Sequence, residues 1–208
     1  TDMLKEQHDI TITIGSHGDI LSDTYNALIY SPAIPEYDPE RLRASELEIP
    51  QYSYPEVLGM ISKKYTTIAV SGTNGKTTTT SIITELLDHA NGSPNAIVGA
   101  PLQKYGSNYV DGDSDTFVME ACEYKDSFLN ISHDIAVITN IKEDHLDYFT
   151  NLDHIQDSFK KFLHNKKNSG VLVCNTQLAE LKPLLDEAHK INMDVVDYSK
   201  HLGNLIVN

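Results

Sequence analysis

The sequence predicts an α/β fold with a mainly parallel sheet, on three observations. Strand-like and helix-like runs alternate along the whole chain. Two strand-like runs, Thr116-Phe117-Val118-Met119 and Ile135-Ala136-Val137-Ile138-Thr139, are apolar enough to be buried on both faces, as parallel strands are. The polar clusters follow directly on strand-like runs, at the carboxyl ends where such sheets place their ligands.

The elements follow in order. Ile10-Thr11-Ile12-Thr13-Ile14 alternates with period two and predicts a strand, as does Ala27-Leu28-Ile29-Tyr30. Pro32, Pro35 and Pro39 punctuate the next stretch, with Pro39 set to open a helix that Pro50 stops. Residues 54–62 predict a further short helix. The first 64 residues hold too few strands for a doubly wound domain and read as the latter half of one, with a boundary near Lys63 to Tyr65. The second domain, 65–208, opens with a strand at 67–71 and a helix carrying Ile82, Ile83, Leu86 and Leu87. A Gly/Ser/Asn/Asp-rich stretch, 103–115, predicts an exposed loop or hairpin. An amphipathic helix at 155–163, a strand at 170–174, a helix at 178–190 and a strand around Val195 and Val196 complete the series.

With 208 residues the chain suits one or two domains and can bury a real core. Sixteen basic against thirty acidic residues give a formal charge of −14. That charge argues against a general grip on nucleic acid or an anionic membrane, so any phosphate must be bound locally. Cys122 and Cys174 are the only cysteines and lack metal-like spacing, which predicts reduced thiols in a cytoplasmic protein. No apolar run approaches membrane-spanning length, and the first residues do not read as a signal peptide. The first residue is Thr1, not methionine, which predicts a trimmed or partial product.

The strongest local signal is Gly72-Thr73-Asn74-Gly75-Lys76-Thr77-Thr78 between a β-branched strand and a helix. Its glycines let main-chain N–H groups turn inward on an anion, Lys76 supplies a point charge, and Thr77 offers a hydroxyl to a magnesium ion. The full eight-residue pattern would need glycine at position 70, where Val70 stands. A plain strand-to-helix turn with an exposed lysine is the competing reading. Two further clusters follow strands: Glu120-Ala121-Cys122-Glu123-Tyr124, and Asn140 through Asp144-His145-Leu146-Asp147-Tyr148. In a parallel sheet the three loops share one edge, so Lys76, Thr77, Glu120 and His145 are expected to converge in one cleft. Glu120 and His145 read as ligands for a divalent cation facing a triphosphate, although magnesium prefers oxygen donors. Glu123 and Lys125 read as a solvated pair, and Asp144 and Asp147 as helix-entry carboxylates.

These three clusters, in this order, resemble the ATP-dependent Mur ligases. Tyr30-Ser31-Pro32-Ala33-Ile34-Pro35 and Glu48-Ile49-Pro50 resemble the second half of that family's UDP-binding domain, so the resemblance covers nearly the whole chain. It implies a P-loop ATP-binding domain at 65–208, incomplete, preceded at 1–64 by part of a Rossmann-like UDP-sugar-binding domain. It further implies that Lys76 and the loop amides from Thr73 to Thr78, with Gly72, Asn74 and Gly75, hold the phosphates of ATP. Thr77 would ligate one Mg2+, Glu120 and His145 a second, and Asn140 would position groups in the same cleft. The implied reaction activates a carboxylate as an acyl phosphate and converts it to an amide in peptidoglycan precursor synthesis. Within the family the chain most resembles the branch that joins L-alanine to UDP-N-acetylmuramate.

Asn74 stands where that branch more often has histidine. The family's glycine-rich UDP loop, adenine-contacting segment and amino-acid-binding domain have no counterpart in these 208 residues, so the chain is expected to be an inactive piece of a longer ligase. Two other readings stay open: a recycling ligase that attaches a ready-made tripeptide to the same UDP-sugar, and a non-catalytic nucleotide-binding module. Oligomeric state is not legible.

Overall fold

A computed structural model of the chain describes residues 11–15 and 18–200. They fall into two compact units that divide between Val57 and Leu58.

The first unit is a small β–α–β element. Strand β1 (Leu28–Tyr30) pairs in parallel with β2 (Gln51–Ser53), and helix α1 (Pro39–Glu46) connects them. Asp38 caps α1 by accepting a hydrogen bond from the Glu40 N–H at 2.9 Å, and Pro39 occupies the first turn, where its missing N–H costs nothing. The strand expected at 10–14 is not formed where it can be seen: Ile10 lies outside the described residues, and residues 11–14 carry no regular structure. Ile14 is 84% exposed, so its period-two pattern has no sheet face to bury against. Helix α2 (Tyr54–Ser62) spans the division between the units.

The second unit is a seven-stranded sheet. Its strands are β3 (Thr66–Ser71), β4 (Asn95–Leu102), β5 (Ser107–Val110), β6 (Thr116–Glu120), β7 (His133–Ile138), β8 (Lys166–Cys174) and β9 (Asp194–Asp197). The spatial order is β5-β4-β6-β3-β7-β8-β9. Every neighbouring pair is parallel except β4 with β5, which form an antiparallel hairpin at one edge. The stretch 103–115 is therefore a hairpin arm, as one of its two expected forms has it. Strand β4 was not foreseen.

Helices α3 (Lys76–His89), α4 (Leu152–His164) and α5 (Lys182–Lys190) complete the unit. The main core lies under α4, which buries Ile155, Phe159, Phe162 and Leu163. Phe128 stacks on Phe162 with centroids 4.7 Å apart and meets Phe159 edge-on at 5.0 Å. Such a fully buried aromatic contributes about 2–3 kcal/mol through the area it removes from water. A smaller cluster of Ala96, Val98, Leu102, Val110 and Val118 packs with Ile83 and Leu87 of α3. Both cysteines are free thiols, and burial pushes Cys174 up to about 11, which makes it a poor nucleophile. Among the described residues no helix is long and apolar enough to cross a membrane.

The central position of β3 is what positions the site. Its register sets Val70 beside Glu120 on one flank and Ser71 beside Ile138 on the other. The loops after β3, β6 and β7 therefore leave the sheet at adjacent points on the same edge.

Candidate functional site

The loop after β3 begins at Gly72 with φ +131°, a conformation that side chains disfavour. A Cβ there would lie 2.2 Å from Thr139 Oγ1 and 2.8 Å from the Asn140 carbonyl oxygen, so the loop presses directly on the segment after β7. That contact is held by hydrogen bonds. The Thr73 N–H donates to the Asn140 carbonyl at 2.9 Å, and the Asn140 side chain grips Asn74 twice. Its Nδ2 donates to the Asn74 carbonyl at 2.9 Å, and its Oδ1 accepts from the Asn74 N–H at 3.2 Å. Thr139 Oγ1 donates to the same Asn74 carbonyl at 2.7 Å.

Gly75, at φ +84°, turns the chain into α3. The helical ladder includes Thr79 N–H to Gly75 carbonyl at 2.9 Å, so the amides of Lys76, Thr77 and Thr78 lie in the turn whose N–H groups point out of a helix end. Thr78 is exposed on that turn. Thr80 and Ser81 return their hydroxyls to the Lys76 and Thr77 carbonyls at 2.8 and 2.7 Å, so these hydroxyls are satisfied within the helix itself.

The Lys76 ammonium turns back into the loop. It donates to the Gly72 carbonyl at 2.6 Å, the Thr73 carbonyl at 3.2 Å and Glu123 Oε1 at 3.1 Å. Glu123 Oε2 is 3.0 Å away, close enough for charge attraction, but it lacks the alignment of a hydrogen bond and has no hydrogen-bond partner. The side chains are 14% and 3% exposed, so this is a buried ion pair. Sequence reasoning placed Glu123 in solvent beside Lys125, and the structure corrects this. Glu123 faces Lys76, while Lys125 lies over the Tyr124 ring, 5.4 Å from its centroid. The only signal in the sequence was a second glutamate three residues beyond Glu120.

Glu120, at the end of β6, is fixed from two sides. Its Oε1 accepts from Thr77 Oγ1 at 3.1 Å, and its Oε2 accepts from the Gly99 N–H of β4 at 2.7 Å. His145 follows β7 in a left-handed conformation, φ +51°. Its Nε2 lies 3.9 Å from Glu123 Oε1, and its ring meets Tyr124 at 4.7 Å between centroids. The loops after β6 and β7 are stapled together around this contact. Tyr124 donates to Asp147 at 2.6 Å, which holds the Asp147 carboxyl below its usual range and raises the phenol. Tyr148 donates to Asp126 at 2.7 Å, and Ser158 of α4 donates to the other Asp126 oxygen. Asp147 and Asp144 are thus loop residues, not helix-entry groups: α4 is capped by Asn151, which accepts from the His154 N–H at 2.9 Å.

The donor set suits a magnesium ion. Oxygen ligands about 2.1 Å from such an ion stand about 3 Å apart when adjacent, and Thr77 Oγ1 and Glu120 Oε1 are 3.1 Å apart. Among the described residues no group of three or more His, Cys, Asp and Glu side chains could hold a metal by itself. One hydroxyl and one carboxylate fit an ion that draws its other ligands from phosphate and water. On the other side of the loop, a cavity of about 640 Å³ opens between Asn74, Gly75, Asn140 and Tyr198, floored by Ile68 and Val137.

Residues 70–207 match the model of the Mur ligase middle domain. A curated relative from Caldicellulosiruptor bescii, UDP-N-acetylmuramate–L-alanine ligase, is 42% identical over 193 residues, covering 90% of this chain and 41% of its own length. The chain thus spans well under half the length of that relative. The crystal structure of UDP-N-acetylmuramate-alanine ligase from Thermotoga maritima superposes with a TM-score of 0.69 at 28% identity, covering 83% of this chain and 40% of that one. A murein peptide ligase from Psychrobacter arcticus shares the fold with a TM-score of 0.77 at 20% identity, covering 94% and 45%. These likenesses agree, and the chain belongs to the Mur ligase family.

Proposed function

We propose that the second unit binds ATP and activates a carboxylate by phosphoryl transfer, as part of a ligase that joins L-alanine to UDP-N-acetylmuramate. The observation that carries this reading is the convergence of Lys76, Thr77 and Glu120 from two neighbouring strand ends. The substrates come from the relatives named for them at 42% and 28% identity. The first unit would contribute part of the UDP-sugar site.

The loop amides from Thr73 to Thr78 would hold the β- and γ-phosphates, with the Lys76 ammonium beside them. Thr77 and Glu120 would hold a magnesium ion, and His145 with Glu120 a second. Bound there, magnesium would neutralise charge on the transferring phosphoryl group. Asn140, locked to Asn74, would keep the loop in register with the segment after β7. The lactyl carboxylate oxygen attacks the γ-phosphorus and the bond to the β-phosphate oxygen breaks, giving an acyl phosphate and ADP. The amine of L-alanine then attacks the acyl carbon, phosphate leaves with the bonding pair, and the nitrogen loses a proton to form the amide. The chain's contribution is positioning and preorganised charge.

Titration calorimetry with the magnesium complex of a non-hydrolysable ATP analogue tests the first step. Binding by the wild type that Lys76→Ala removes supports the reading. Equal affinity in both proteins would refute it.

A further inference from the structure

The Lys76–Glu123 pair points to a discriminating role for a residue that needs no contact with substrate. We propose that Glu123 makes the site selective for the metal complex of a nucleoside polyphosphate over the free polyanion. The inference rests on the nucleotide reading above and deepens it.

At the loop, one cation faces two carboxylates: Lys76 lies against Glu123, and Thr77 ties in Glu120. Lys76 already spends its donors on two carbonyls and on Glu123. To grip a phosphate it must release or share one of these three, and a ligand that draws the ammonium to itself takes counter-charge from Glu123, whose side chain is 3% exposed and whose Oε2 has no hydrogen bond of its own. A bare polyphosphate would therefore leave one buried carboxylate with less of its counter-charge and add its own negative charge beside it. Burying an uncompensated charge is strongly unfavourable. A polyphosphate that arrives with a divalent cation brings the compensating charge, and Lys76 can then be shared. Glu123 acts as a stand-in anion that holds Lys76 until a neutralised ligand replaces it. At about 5 Å and an effective dielectric of about 20, one unit of charge changes affinity by about a hundredfold.

The test is calorimetry with the non-hydrolysable ATP analogue, with excess magnesium and with EDTA, on wild type, Glu123→Gln and Glu123→Asp. The wild type should bind the magnesium complex about a hundredfold more tightly than the free analogue. Glu123→Gln should tighten metal-free binding by about tenfold or more while changing binding of the complex little. Glu123→Asp, which keeps the charge, should retain most of the gap. A gap unchanged in Glu123→Gln, or metal-free binding weakened by it, overturns the proposal while the nucleotide reading stands. A wild-type gap below about threefold overturns it whether or not the variants fold. Failure of the wild type to bind the magnesium complex overturns the nucleotide reading and this inference with it.

Discussion

Replacing Lys76 with methionine should destabilise the second unit far more than loss of a surface lysine. Glu123 is 3% exposed and has Lys76 as its hydrogen-bonded counter-ion, so the substitution strands a buried carboxylate. Removing one partner of a buried pair costs about 3–5 kcal/mol, because the remaining charge is left without compensation. Lys76 is 14% exposed and some water can reach the gap, so the lower end, about 3 kcal/mol, is expected. For a chain of this size that lowers the melting temperature by about 6–12 °C. Glu123→Gln should cost less, since the ammonium keeps the Gly72 and Thr73 carbonyls. The pair Lys76→Met with Glu123→Gln should recover about 2 kcal/mol relative to the additive sum, which a double-mutant cycle by thermal and urea unfolding measures directly. A Lys76→Met variant within about 0.5 kcal/mol of wild type, or a cycle with no coupling, would refute the buried-pair reasoning.

Gly72→Ala should cost about 3 kcal/mol and abolish nucleotide binding, because its Cβ would fall 2.2 Å from Thr139 Oγ1 at a backbone φ of +131°; a melting curve and calorimetry check both halves. Asp126→Ala should cost about 2 kcal/mol, since it orphans the buried Ser158 hydroxyl and cuts the Tyr148 staple, and should speed amide exchange in the loop carrying His145. His133 is fully buried, its Nε2 meets the Phe162 carbonyl at 3.0 Å, and its Nδ1 has no partner. Burial lowers its pKa from 6.5 to about 4. Between those values the unfolded chain takes up a proton that the folded chain refuses. Stability from this group is therefore present above about pH 6.5 and declines as pH falls towards 4, by about 3 kcal/mol in all. Urea unfolding across that range should show the slope, and His133→Gln should flatten it.

The sheet was legible because its central strands carry long apolar or β-branched runs, and the strand-to-helix loop at 72–75 because its glycines lie between a β-branched run and a helical one. Strand β4 was not, since Asn95, Ala96, Gly99, Ala100 and Pro101 give little β-propensity. Pairing with β6 on one side and β5 on the other makes it a strand. The opposite error arose at 11–14, where alternation is present and no ladder forms. The convergence of the loops after β3, β6 and β7 followed from topology alone. What it could not supply was Glu123: a carboxylate past a strand end looks solvated until its partner, 47 residues upstream, is seen to fold back onto it. His145 is a second neighbour of Glu123 that the sequence did not signal, its Nε2 3.9 Å from Glu123 Oε1.

The Gly99–Glu120 hydrogen bond gives the edge hairpin a use as a reporter. Strand β4 belongs to the peripheral arm of the sheet, yet its Gly99 N–H ends on the carboxylate that also meets Thr77. A Cβ on residue 99 would lie 2.6 Å from that oxygen, so the glycine is what allows the approach. Any turn of Glu120 towards a cation must lengthen or tighten this one bond. The backbone amide resonance of Gly99 should therefore shift on magnesium binding, and an isotope label at a single glycine would follow occupancy of the site without touching it.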